Sequence, residues 1–549
     1  MDLDHLREEI KRHENEYPEF KEILSTFLSS PKKGTGEYLS EIYWQMDSKE
    51  IQTQEDFQNL INQIAQYNSK DSSYSKTPDS IMGLVVKLLD LYNISSLADF
   101  SAGRSSIALE IFKQLSHQPY YYAEEINATE YLISKLLMIV NEIREYEIAN
   151  KDIFTLEMEN ESRRFDLVIS DIPRNMKYNK SFNPNDPRFR YGAPTKNNLE
   201  WAFIQNAIYH LNRQGKGILI GSKGMLVRGL EDKIRARVVK EDLVECIITL
   251  PDNLYENTNI GSELMIINHN KPVDRKGGVL FINASNYKKR LNSNQQTITK
   301  EGVKKITEAY SNNILKEDFS KFVNIEKMEE YDYRLNPVEY IDFENIKNQF
   351  NRTVPLGDIA EIARGVNIGP KEMEKLEEGG DYCYINVRNV DDSGINYEDA
   401  TMIQPKGMDW FEKYSIKADD IIITAKGWET KVALVDSAYK DSFISSNLTR
   451  IRVNSNKYNP YILLEYLKSD IGKRMLESLQ TGTTVTLINN KQLSRLEVPV
   501  YSKEMMEETG QAIKANRKIY QERLNLAEKE YKEKQAQLMV ELGLSKVYK

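Results

Sequence analysis

Three acidic residues stand where an α/β sheet would place ligand-binding groups. Asp99 opens the turn 99–103, which contains Gly103, and Glu125 lies at the end of the next strand-like segment. Asp152 follows further along the chain. A glycine in a tight turn lets the backbone approach a ligand, and an acid after the second strand commonly holds ribose hydroxyls. This spacing favours a nucleotide-type ligand at one edge of a sheet.

A second polar segment is directed to the same edge. Residues 165–170 form a predicted buried strand. The strand is followed directly by Asp171, Ile172, Pro173 and Arg174. Ligands of open α/β sheets bind at the carboxyl ends of the strands, near the point where the strand order reverses. We therefore expect the acids of the first turns and the segment 171–174 to share one site.

The elements that must position these residues alternate between strand and helix from Leu97 to about His269. This alternation predicts a doubly wound, mostly parallel, Rossmann-like sheet. Predicted strands lie at 97–99, 120–123, 165–169, 217–220, 244–249 and 264–267, and predicted helices begin near Thr77 and Ser105. A further strand at 279–283 is predicted in the mixed segment that follows.

Five regions follow from changes in pattern along the 549 residues. The first is helical in spacing, the second holds the α/β alternation, and the third is a mixed α/β segment that we interpret as a linker. The fourth has short strands between Gly, Asp and Asn turns, which predicts an α+β domain, and the fifth is a long charged helix. Their bounds are 1–70, 71–272, 273–352, 353–501 and 502–549.

The C-terminal helix carries an apolar stripe at alternating four- and three-residue steps, with Lys534 interrupting the seam. Two interpretations stay open, a helix folded back on its own domain and an intermolecular coiled coil. The stripe consists of Tyr520, Leu524, Ala527, Tyr531 and Leu538.

Composition excludes several classes of protein. Apolar residues make up 40% and charged residues 29% of the chain, which is ordinary for a globular protein, and no apolar run is long enough to span a bilayer. The start of the chain lacks the apolar core of a secretory signal, so we expect a cytoplasmic protein. Cys246 and Cys383 fit buried hydrophobic positions and no metal site is expected. A net charge of −9 argues against indiscriminate coating of nucleic acid.

Taken in order, the segments 99–106, 125–127 and 171–174 resemble the N6-adenine DNA methyltransferases, and in particular the modification subunit of type I restriction-modification systems. The resemblance covers about residues 70–340. Further landmarks of that family are matched by Tyr74 to Pro78 and by the segments 201–203, 215–217, 224–229 and 250–255.

The resemblance implies a cofactor and a reaction. The family binds S-adenosylmethionine and methylates the N6 amine of an adenine rotated out of the duplex. Asp171 and Pro173 would accept the hydrogens of that amine, and the fourth residue of the tetrad, here Arg174, would stack on the base. The cofactor would be bound by Thr77, Asp99, Gly103, Glu125 and Asp152.

Two departures from the family pattern leave the activity open. Arg174 stands where the stacking aromatic residue belongs, and stacking is worth about 1–3 kcal/mol per base. Ser105 and Ser106 replace glycines of the cofactor turn, where a non-glycine residue at positive φ costs about 1 kcal/mol. An active adenine methyltransferase, with Tyr178 or Phe182 as the stacking ring, and a folded pseudoenzyme without transfer both remain possible.

The C-terminal part carries a second resemblance, to one target-recognition domain of a type I specificity subunit followed by its spacer helix. It covers about residues 353–542, and the segment 481–488 is its most specific motif. Matching segments lie at 354–365, 384–390, 419–427, 445–452 and 481–500.

This second resemblance implies site-specific binding of double-stranded DNA, since hydroxyl and charged side chains contact base edges and phosphates. Each charged candidate has a competing interpretation as an ordinary solvated surface residue. The predicted DNA contacts are Lys426, Trp428, Lys431, Arg450, Arg452, Thr483, Thr484 and Thr486.

The combined pattern predicts a DNA-binding protein of restriction-modification or phage defence. A homodimer through the C-terminal helix would let two recognition domains read a two-part site. Because the sequence holds no nuclease-like Asp…Glu-x-Lys cluster and no G-x-x-x-x-G-K-[ST] phosphate loop, cleavage would need a separate restriction or effector subunit.

Overall fold

The computed structural model describes residues 76–89, 94–155, 162–256, 258, 261–293, 295–316, 318–341, 350, 352–377, 380–391, 393–427, 429–436, 440–481 and 486–544. The helical domain predicted at 1–70 lies outside these residues. The chain forms two compact units, Met1–Ile341 and Asp342–Lys549.

Nine of the described strands of the first unit form one sheet in the order β11-β8-β6-β7-β5-β4-β1-β2-β3. The pairs β1–β2, β2–β3, β1–β4, β4–β5 and β6–β8 are parallel, whereas β7 runs antiparallel between β5 and β6 and β11 antiparallel beside β8. A separate hairpin is formed by β9 and β10. The strands are β1 Ser96–Asp99, β2 Tyr120–Glu125, β3 Tyr146–Asn150, β4 Phe165–Asp171, β5 Leu211–Ser222, β6 Val244–Thr249, β7 Ser262–Asn268, β8 Gly278–Asn283, β9 Lys288–Arg290, β10 Gln296–Ile298 and β11 Ser320–Asn324.

Helices cover both faces of this sheet. Leu97 of β1 belongs to one buried cluster with Ile81 and Leu136, and its neighbour Ala98 belongs to the other with Trp201. Successive strand residues point to opposite faces, so these two clusters are the two layers of a doubly wound domain. The helices are α1 Asp79–Leu88, α2 Ser106–Phe112, α3 Ala128–Val140, α4 Glu200–His210, α5 Gly224–Val227, α6 Asp232–Lys240, α7 Lys300–Ser311 and α8 Ile325–Glu329.

The segment 273–352, interpreted from the sequence as a linker, requires a correction. It supplies β8 and β11 to the main sheet, and Phe281 and Leu280 of β8 are completely buried. Its apolar strand residues complete the core of the first unit, so residues 273–341 are part of the α/β domain. The strand at 279–283 was predicted from sequence, but the sheet that it joins depends on pairing with distant segments and was therefore missed.

The second unit is built from short strands in small sheets. One sheet has the order β13-β20-β16-β18, others have the orders β15-β14-β19 and β17-β22-β21, and β12 pairs with β23. The strands are β12 Thr353–Pro355, β13 Ala360–Arg364, β14 Tyr382–Ile385, β15 Thr401–Ile403, β16 Ile421–Thr424, β17 Lys426–Gly427, β18 Val432–Leu434, β19 Ser442–Ile444, β20 Leu448–Val453, β21 Gln480–Thr481, β22 Thr486–Ile488 and β23 Glu497–Pro499.

The helices of the second unit end with a 39-residue helix, α15. Its first turns pack on α12, where Lys514 lies 5.3 Å from the centre of the Tyr461 ring. Tyr520, Tyr531 and Leu538 further along are more than half exposed. The helices are α9 Leu356–Ile359, α10 Pro370–Glu377, α11 Met408–Tyr414, α12 Pro460–Lys468, α13 Asp470–Ser478, α14 Asn490–Ser494 and α15 Lys503–Glu541.

Exposure along α15 tests the folded-back interpretation of its apolar stripe within the described residues. A helix folded back on its own domain would bury Tyr531 and Leu538, yet these side chains are 65% and 52% exposed. The folded-back interpretation was therefore wrong for this part of the helix. Both cysteines are buried and free, as expected. Among the described helices we find none with the length and apolar character required to traverse a membrane.

Candidate active site and DNA-recognition residues

The carboxyl ends of β1 and β4 bring two predicted site residues together. The strands are parallel neighbours with Asp99 beside Ile169, so Asp99 and Asp171 end at the same edge of the sheet. The hydroxyls of Ser101 and Ser170 are 2.5 Å apart and join the two strand ends. The chain continues from β1 to β2 on one side and from β4 to β5 on the other. This edge is therefore the switch point that the sequence predicted as the ligand site.

The turn after β1, residues 100–105, is called the cofactor loop here. Gly103 and Ser105 both have left-handed backbone, with φ of 53° and 57°. The Ser105 hydroxyl accepts a hydrogen bond from the Tyr121 hydroxyl at 2.8 Å and lies 2.5 Å from that of Ser134. Ser105 thus keeps the left-handed conformation suited to glycine, and its side chain is used inside the core.

Glu125, at the end of β2, is bonded to the cofactor loop. Its carboxylate accepts the Gly103 amide at 2.8 Å and the Asn127 amide at 2.7 Å. Burial raises the pKa of Glu125, and these two amides oppose the rise. A carboxylate has about four acceptor positions, so two amide donors leave acceptor capacity for ribose hydroxyls.

Asp99 lies under the cofactor loop and is 2% exposed. It accepts the Ser101 amide at 2.9 Å. Burial raises the pKa of Asp99 to about 7 from an ordinary value of 3.8, and the nearby Asp171 and Glu125 carboxylates add to the rise. Burial first, and the two neighbouring acids second, therefore make deprotonation of Asp99 unfavourable.

Two further pairs hold the surroundings of the loop. Arg104 and Glu130 form a buried ion pair of 2.6 Å that fastens the loop to α3. Asp152, a predicted cofactor residue, accepts the Phe154 amide at 3.0 Å and pairs with Lys180 at 3.2 Å. Asp152 thus has partners within the chain in addition to any ligand.

The segment 171–174, called the tetrad here, has an acid whose oxygens are already engaged. Thr77 and Tyr255 donate hydrogen bonds to Asp171 Oδ2, at 2.6 Å and 2.8 Å. Both lone pairs of Oδ2 are used by these two donors. The other oxygen, Oδ1, lies 3.5 Å from the guanidinium of Arg174.

Arg174 folds back over the same acid. Its guanidinium carbon lies 4.0 Å from the centre of the Tyr255 ring, and Nη2 donates to Ser262 Oγ at 3.2 Å. Burial alone would lower the pKa of Arg174, but Tyr255 and Asp171 raise it above its ordinary value. Burial also raises the pKa of Tyr255 well above its ordinary value. A charged guanidinium therefore covers the acid of the tetrad, while Pro173 is exposed.

The two rings considered as substitutes for the missing aromatic are packed together. Tyr178 and Phe182 stack with ring centres 4.8 Å apart, and both meet Phe154 edge-on at 5.3 Å and 5.4 Å. Part of each ring is thus already used in an aromatic cluster with Phe154.

Sequence reasoning missed Tyr255 as a site residue, although its segment was noted. Tyr255 is 1% exposed and lies six residues beyond the end of β6. A buried tyrosine usually has a hydrogen-bond partner for its hydroxyl, so the sequence could have indicated that Tyr255 has a polar partner. Its partner was hidden because Asp171 is 84 residues away in sequence.

Comparison with known proteins decides the family. A model of the N-6 DNA methylase family matches residues 54–349, more than half of the chain. The chain belongs to the N-6 DNA methylase family. The type I restriction modification DNA specificity domain matches residues 349–515, directly after it. The predicted family resemblance and the mixed α/β fold are both confirmed.

Individual relatives agree with this membership. The methylase domain resembles the MjaVII type I methylase subunit of Methanocaldococcus jannaschii, 31% identical over 65% of this chain and 63% of the relative. The HindI type I methylase subunit of Haemophilus influenzae is 29% identical over 52% of this chain and 67% of the relative. The chain spans about half to two thirds of the length of such relatives.

A solved structure shows the same fold. It is the methyltransferase subunit of a type I restriction-modification system from Streptococcus thermophilus, 25% identical, with a TM-score of 0.50. The likeness covers 58% of this chain and 71% of that one.

The predicted DNA contacts of the specificity domain have different surroundings. Lys426 is exposed on β17, and Lys431 donates to the Val390 carbonyl at 2.9 Å. Trp428, Thr483 and Thr484 lie outside the described residues, and Thr486 is described only as the first backbone position of β22.

The prediction for Arg450 requires a correction, and Arg452 has a partner within the domain. Arg450 is 3% exposed and pairs with Glu361 at 2.7 Å, while its Nη1 donates to the Ser415 carbonyl. Arg452 pairs with Asp420 through two hydrogen bonds of 2.7 Å and 2.8 Å. Both guanidiniums hold β20 to its neighbours. Arg450 is buried and acts in the fold, whereas the side chain of Arg452 is 28% exposed and its DNA contact stays a prediction.

Proposed function

We propose that this methylase-family chain is a sequence-specific binder of double-stranded DNA that does not transfer a methyl group in its native form. The observation that supports the absence of methyl transfer is that both carboxylate oxygens of Asp171 already have partners. Thr77 and Tyr255 use Oδ2, and Arg174 faces Oδ1. An adenine amine reaching this acid has to displace Arg174.

Displacing Arg174 is unfavourable for two physical reasons. Its guanidinium would leave the Tyr255 ring, and a desolvated cation–π contact is worth about 2 kcal/mol. The incoming base would then find no aromatic side chain at the fourth tetrad position for stacking, which costs about 1–3 kcal/mol more. The wild-type tetrad therefore lacks the acceptor and the platform that the reaction requires.

An active methyltransferase is the second candidate, and the cofactor loop favours it. Ser105 keeps the left-handed turn, Asp99 lies under it, and Glu125 retains acceptor capacity. These residues fit S-adenosylmethionine, for which Glu125 would accept the ribose hydroxyls and Asp152 and Thr77 would be further contacts. When bound, this cofactor supplies an electrophilic methyl group on a sulfonium.

Methyl transfer with isotopically labelled S-adenosylmethionine separates the two candidates. The wild type is incubated with a library of duplexes, and its Asp171→Ala variant sets the background. We expect no incorporation above that background for the wild type. Incorporation that depends on Asp171 would establish the active enzyme instead.

Replacing Arg174 with phenylalanine tests the physical reason. Arg174→Phe removes the cation from Asp171 and restores a stacking ring, so we expect measurable transfer to a duplex that contains the bound sequence. Arg174→Met is the matched control, because it removes the charge but adds no ring. Equal incorporation by wild type and Arg174→Phe would show that the tetrad is not closed by Arg174.

Sequence-specific binding is tested by selection from randomised duplexes. We expect the full chain to enrich one motif through the specificity domain, and a selection that enriches none would overturn the DNA-binding proposal. Action on chromosomal or invading DNA implies a cytoplasmic location and a role in phage defence. Since the function proposed is binding, any cleavage would come from a separate restriction or effector subunit.

Self-association through α15 completes the proposal. Beyond its contact with α12, this helix exposes Tyr520, Tyr531 and Leu538. Such a stripe in a helix of 39 residues is typical of a coiled coil. We expect Tyr531→Asp to convert a homodimer to monomers in sedimentation, whereas Glu530→Asp leaves the dimer unchanged.

A further inference from the structure

The specificity domain contains an open cavity of about 520 Å³, within the size range of ligand sites. It lies where β13, β14, β17 and the turn between β19 and β20 approach one another. Among its walls are Arg364, Asn386, Lys426, Ser445 and Asn447.

Backbone hydrogen bonds hold these walls rigidly. The Ser445 amide donates to the Ile385 carbonyl at 2.9 Å, and the Ser446 amide donates to the Val366 carbonyl at 2.7 Å. A side chain at Gly365 would place its Cβ 2.2 Å from the Ser445 carbonyl oxygen, so glycine is needed for this close approach. A cavity fixed by the backbone is preorganised for a ligand.

The described residues that line the cavity carry positive charge only. Arg364 donates to the carbonyls of Ser446 and Ile488, at 2.5 Å and 3.0 Å. Burial lowers the pKa of Arg364, with no carboxylate contributing. Lys426 is exposed at the same cavity, and none of the described residues lining it carries a carboxylate. Such surroundings favour an anionic ligand.

Ser445 supplies an independent indication of a ligand. It is 2% exposed, and its hydroxyl makes no hydrogen bond to the described residues. A polar neighbour is the Tyr384 hydroxyl, and a weak interaction with Ser445 opposes the rise that burial causes in the pKa of that phenol, although the geometry falls short of a hydrogen bond. A buried hydroxyl without a partner costs free energy, and a ligand in the cavity can supply the missing acceptor.

We propose that this cavity seats a backbone phosphate of the bound DNA, held by Lys426, Arg364 and the Ser445 hydroxyl. The proposal rests on the proposed DNA-binding function and deepens it. A phosphate contact positions the domain on the duplex and carries no sequence information itself. The cavity is therefore an anchor whose contribution is the same on every sequence.

Salt dependence of binding measures such an anchor. We compare the full chain with Lys426→Met and Ser445→Ala on the selected duplex and on a random duplex, between low and moderate salt. Losing one phosphate contact reduces the slope of log K against log salt by about 1. Lys426→Met should show that loss on both duplexes, with affinity weaker by about fivefold to tenfold at low salt.

Ser445→Ala separates a ligand contact from a structural one. Because the hydroxyl has no hydrogen-bond acceptor assigned among the described residues, we expect weaker binding to both duplexes with unchanged thermal stability. The matched control is Ser442→Ala, whose buried hydroxyl donates to the Lys440 carbonyl at 2.7 Å. That variant should lose stability and keep its affinity. Lys473→Met, an exposed lysine on α13 outside the cavity, controls for charge.

Three outcomes overturn the proposal when the wild type binds DNA. The first is an unchanged salt slope in Lys426→Met, and the second is unchanged affinity in Ser445→Ala. The third is a loss of affinity that occurs only on the selected duplex, because that would indicate a base contact. If the wild type binds no DNA, the proposed function fails separately. Binding of inorganic phosphate then tests the cavity by itself. At equal ionic strength, phosphate should raise the melting temperature of the wild type more than that of Lys426→Met. Equal shifts in the two proteins overturn the proposal.

Discussion

The cofactor loop and the tetrad lie at one edge of the same sheet, and both depart from the family pattern, yet the departures have different consequences. In the loop, Ser105 keeps the left-handed backbone and its hydroxyl joins Tyr121 and Ser134. In the tetrad, Arg174 adds a charge that folds onto Asp171 and Tyr255. A neutral substitution was absorbed by local hydrogen bonds, whereas a charged one changed which groups the acid contacts.

The largest expected effect tests how firmly the cofactor loop is held. Glu130→Gln removes the carboxylate that pairs with Arg104 at 2.6 Å and so breaks an ion pair whose two side chains are both buried. Breaking a buried pair in this way costs about 3–5 kcal/mol, so the free energy of unfolding in denaturant should fall by that amount.

An exposed pair of the same domain supplies the control. Glu147→Gln breaks the pair with Arg163 at 2.9 Å, where the side chains are 47% and 31% exposed. Such a pair contributes about 1 kcal/mol or less. Similar losses in the two variants would mean that the loop is not anchored by Arg104.

The second prediction concerns pH and Asp99. Its pKa of about 7 in the folded protein exceeds its ordinary value of 3.8, so between these values the folded state binds more protons than the unfolded state. Its contribution to stability is then fully present below pH 3.8 and is lost as pH rises through 7. The slope is at most about 1.4 kcal/mol per pH unit.

Asp99→Asn isolates this contribution, because asparagine does not titrate. We expect the difference in unfolding free energy between wild type and variant to favour the wild type most at low pH and to shrink towards pH 7. A difference that stays constant across this range would show that Asp99 is ionised normally and that the edge is more solvated than its burial indicates.

Much of this edge could be predicted from sequence, since strand periodicity and turn residues are local. The strands carrying Asp99, Glu125 and Asp171 were predicted within a few residues of their bounds. Tertiary features were missed. The strand β11 and the antiparallel insertion of β7 between β5 and β6 depend on pairing with distant segments.

Side-chain partners were the least predictable part. Arg450 and Glu361 are 89 residues apart, and each alone looks like a solvated surface charge. Their pairing follows from the antiparallel register of β13 and β20, which places Ala363 opposite Arg450. Periodicity gives the face of a strand but not the neighbour on it, so the assignment of a charge to DNA or to the fold required the structure.

The third prediction compares two buried tyrosines, one in each region. Tyr255→Phe removes a hydrogen bond of 2.8 Å to the Asp171 carboxylate, and Tyr121→Phe removes one of 2.8 Å to the Ser105 hydroxyl. Hydrogen bonds to charged groups contribute about 1.5–3 kcal/mol and neutral ones about 0.5–1.5 kcal/mol. Chemical denaturation should therefore show the larger loss for Tyr255→Phe, and the reverse order would argue that Asp171 is not the charged centre of the tetrad network.

The smallest effect tests the claim that the loop tolerates its serine. Ser105→Ala and Ser105→Gly both remove the hydroxyl that Tyr121 and Ser134 contact, so both should lose stability. They differ only in backbone preference, because glycine adopts the φ of 57° freely and alanine does not. Ser105→Gly should consequently be more stable than Ser105→Ala by about 1 kcal/mol in denaturant unfolding. Equal stabilities would mean that the loop leaves the left-handed conformation once the Ser105 hydroxyl is removed. In that case the hydrogen bonds of this hydroxyl, and not the rest of the loop, fix the turn at the cofactor edge.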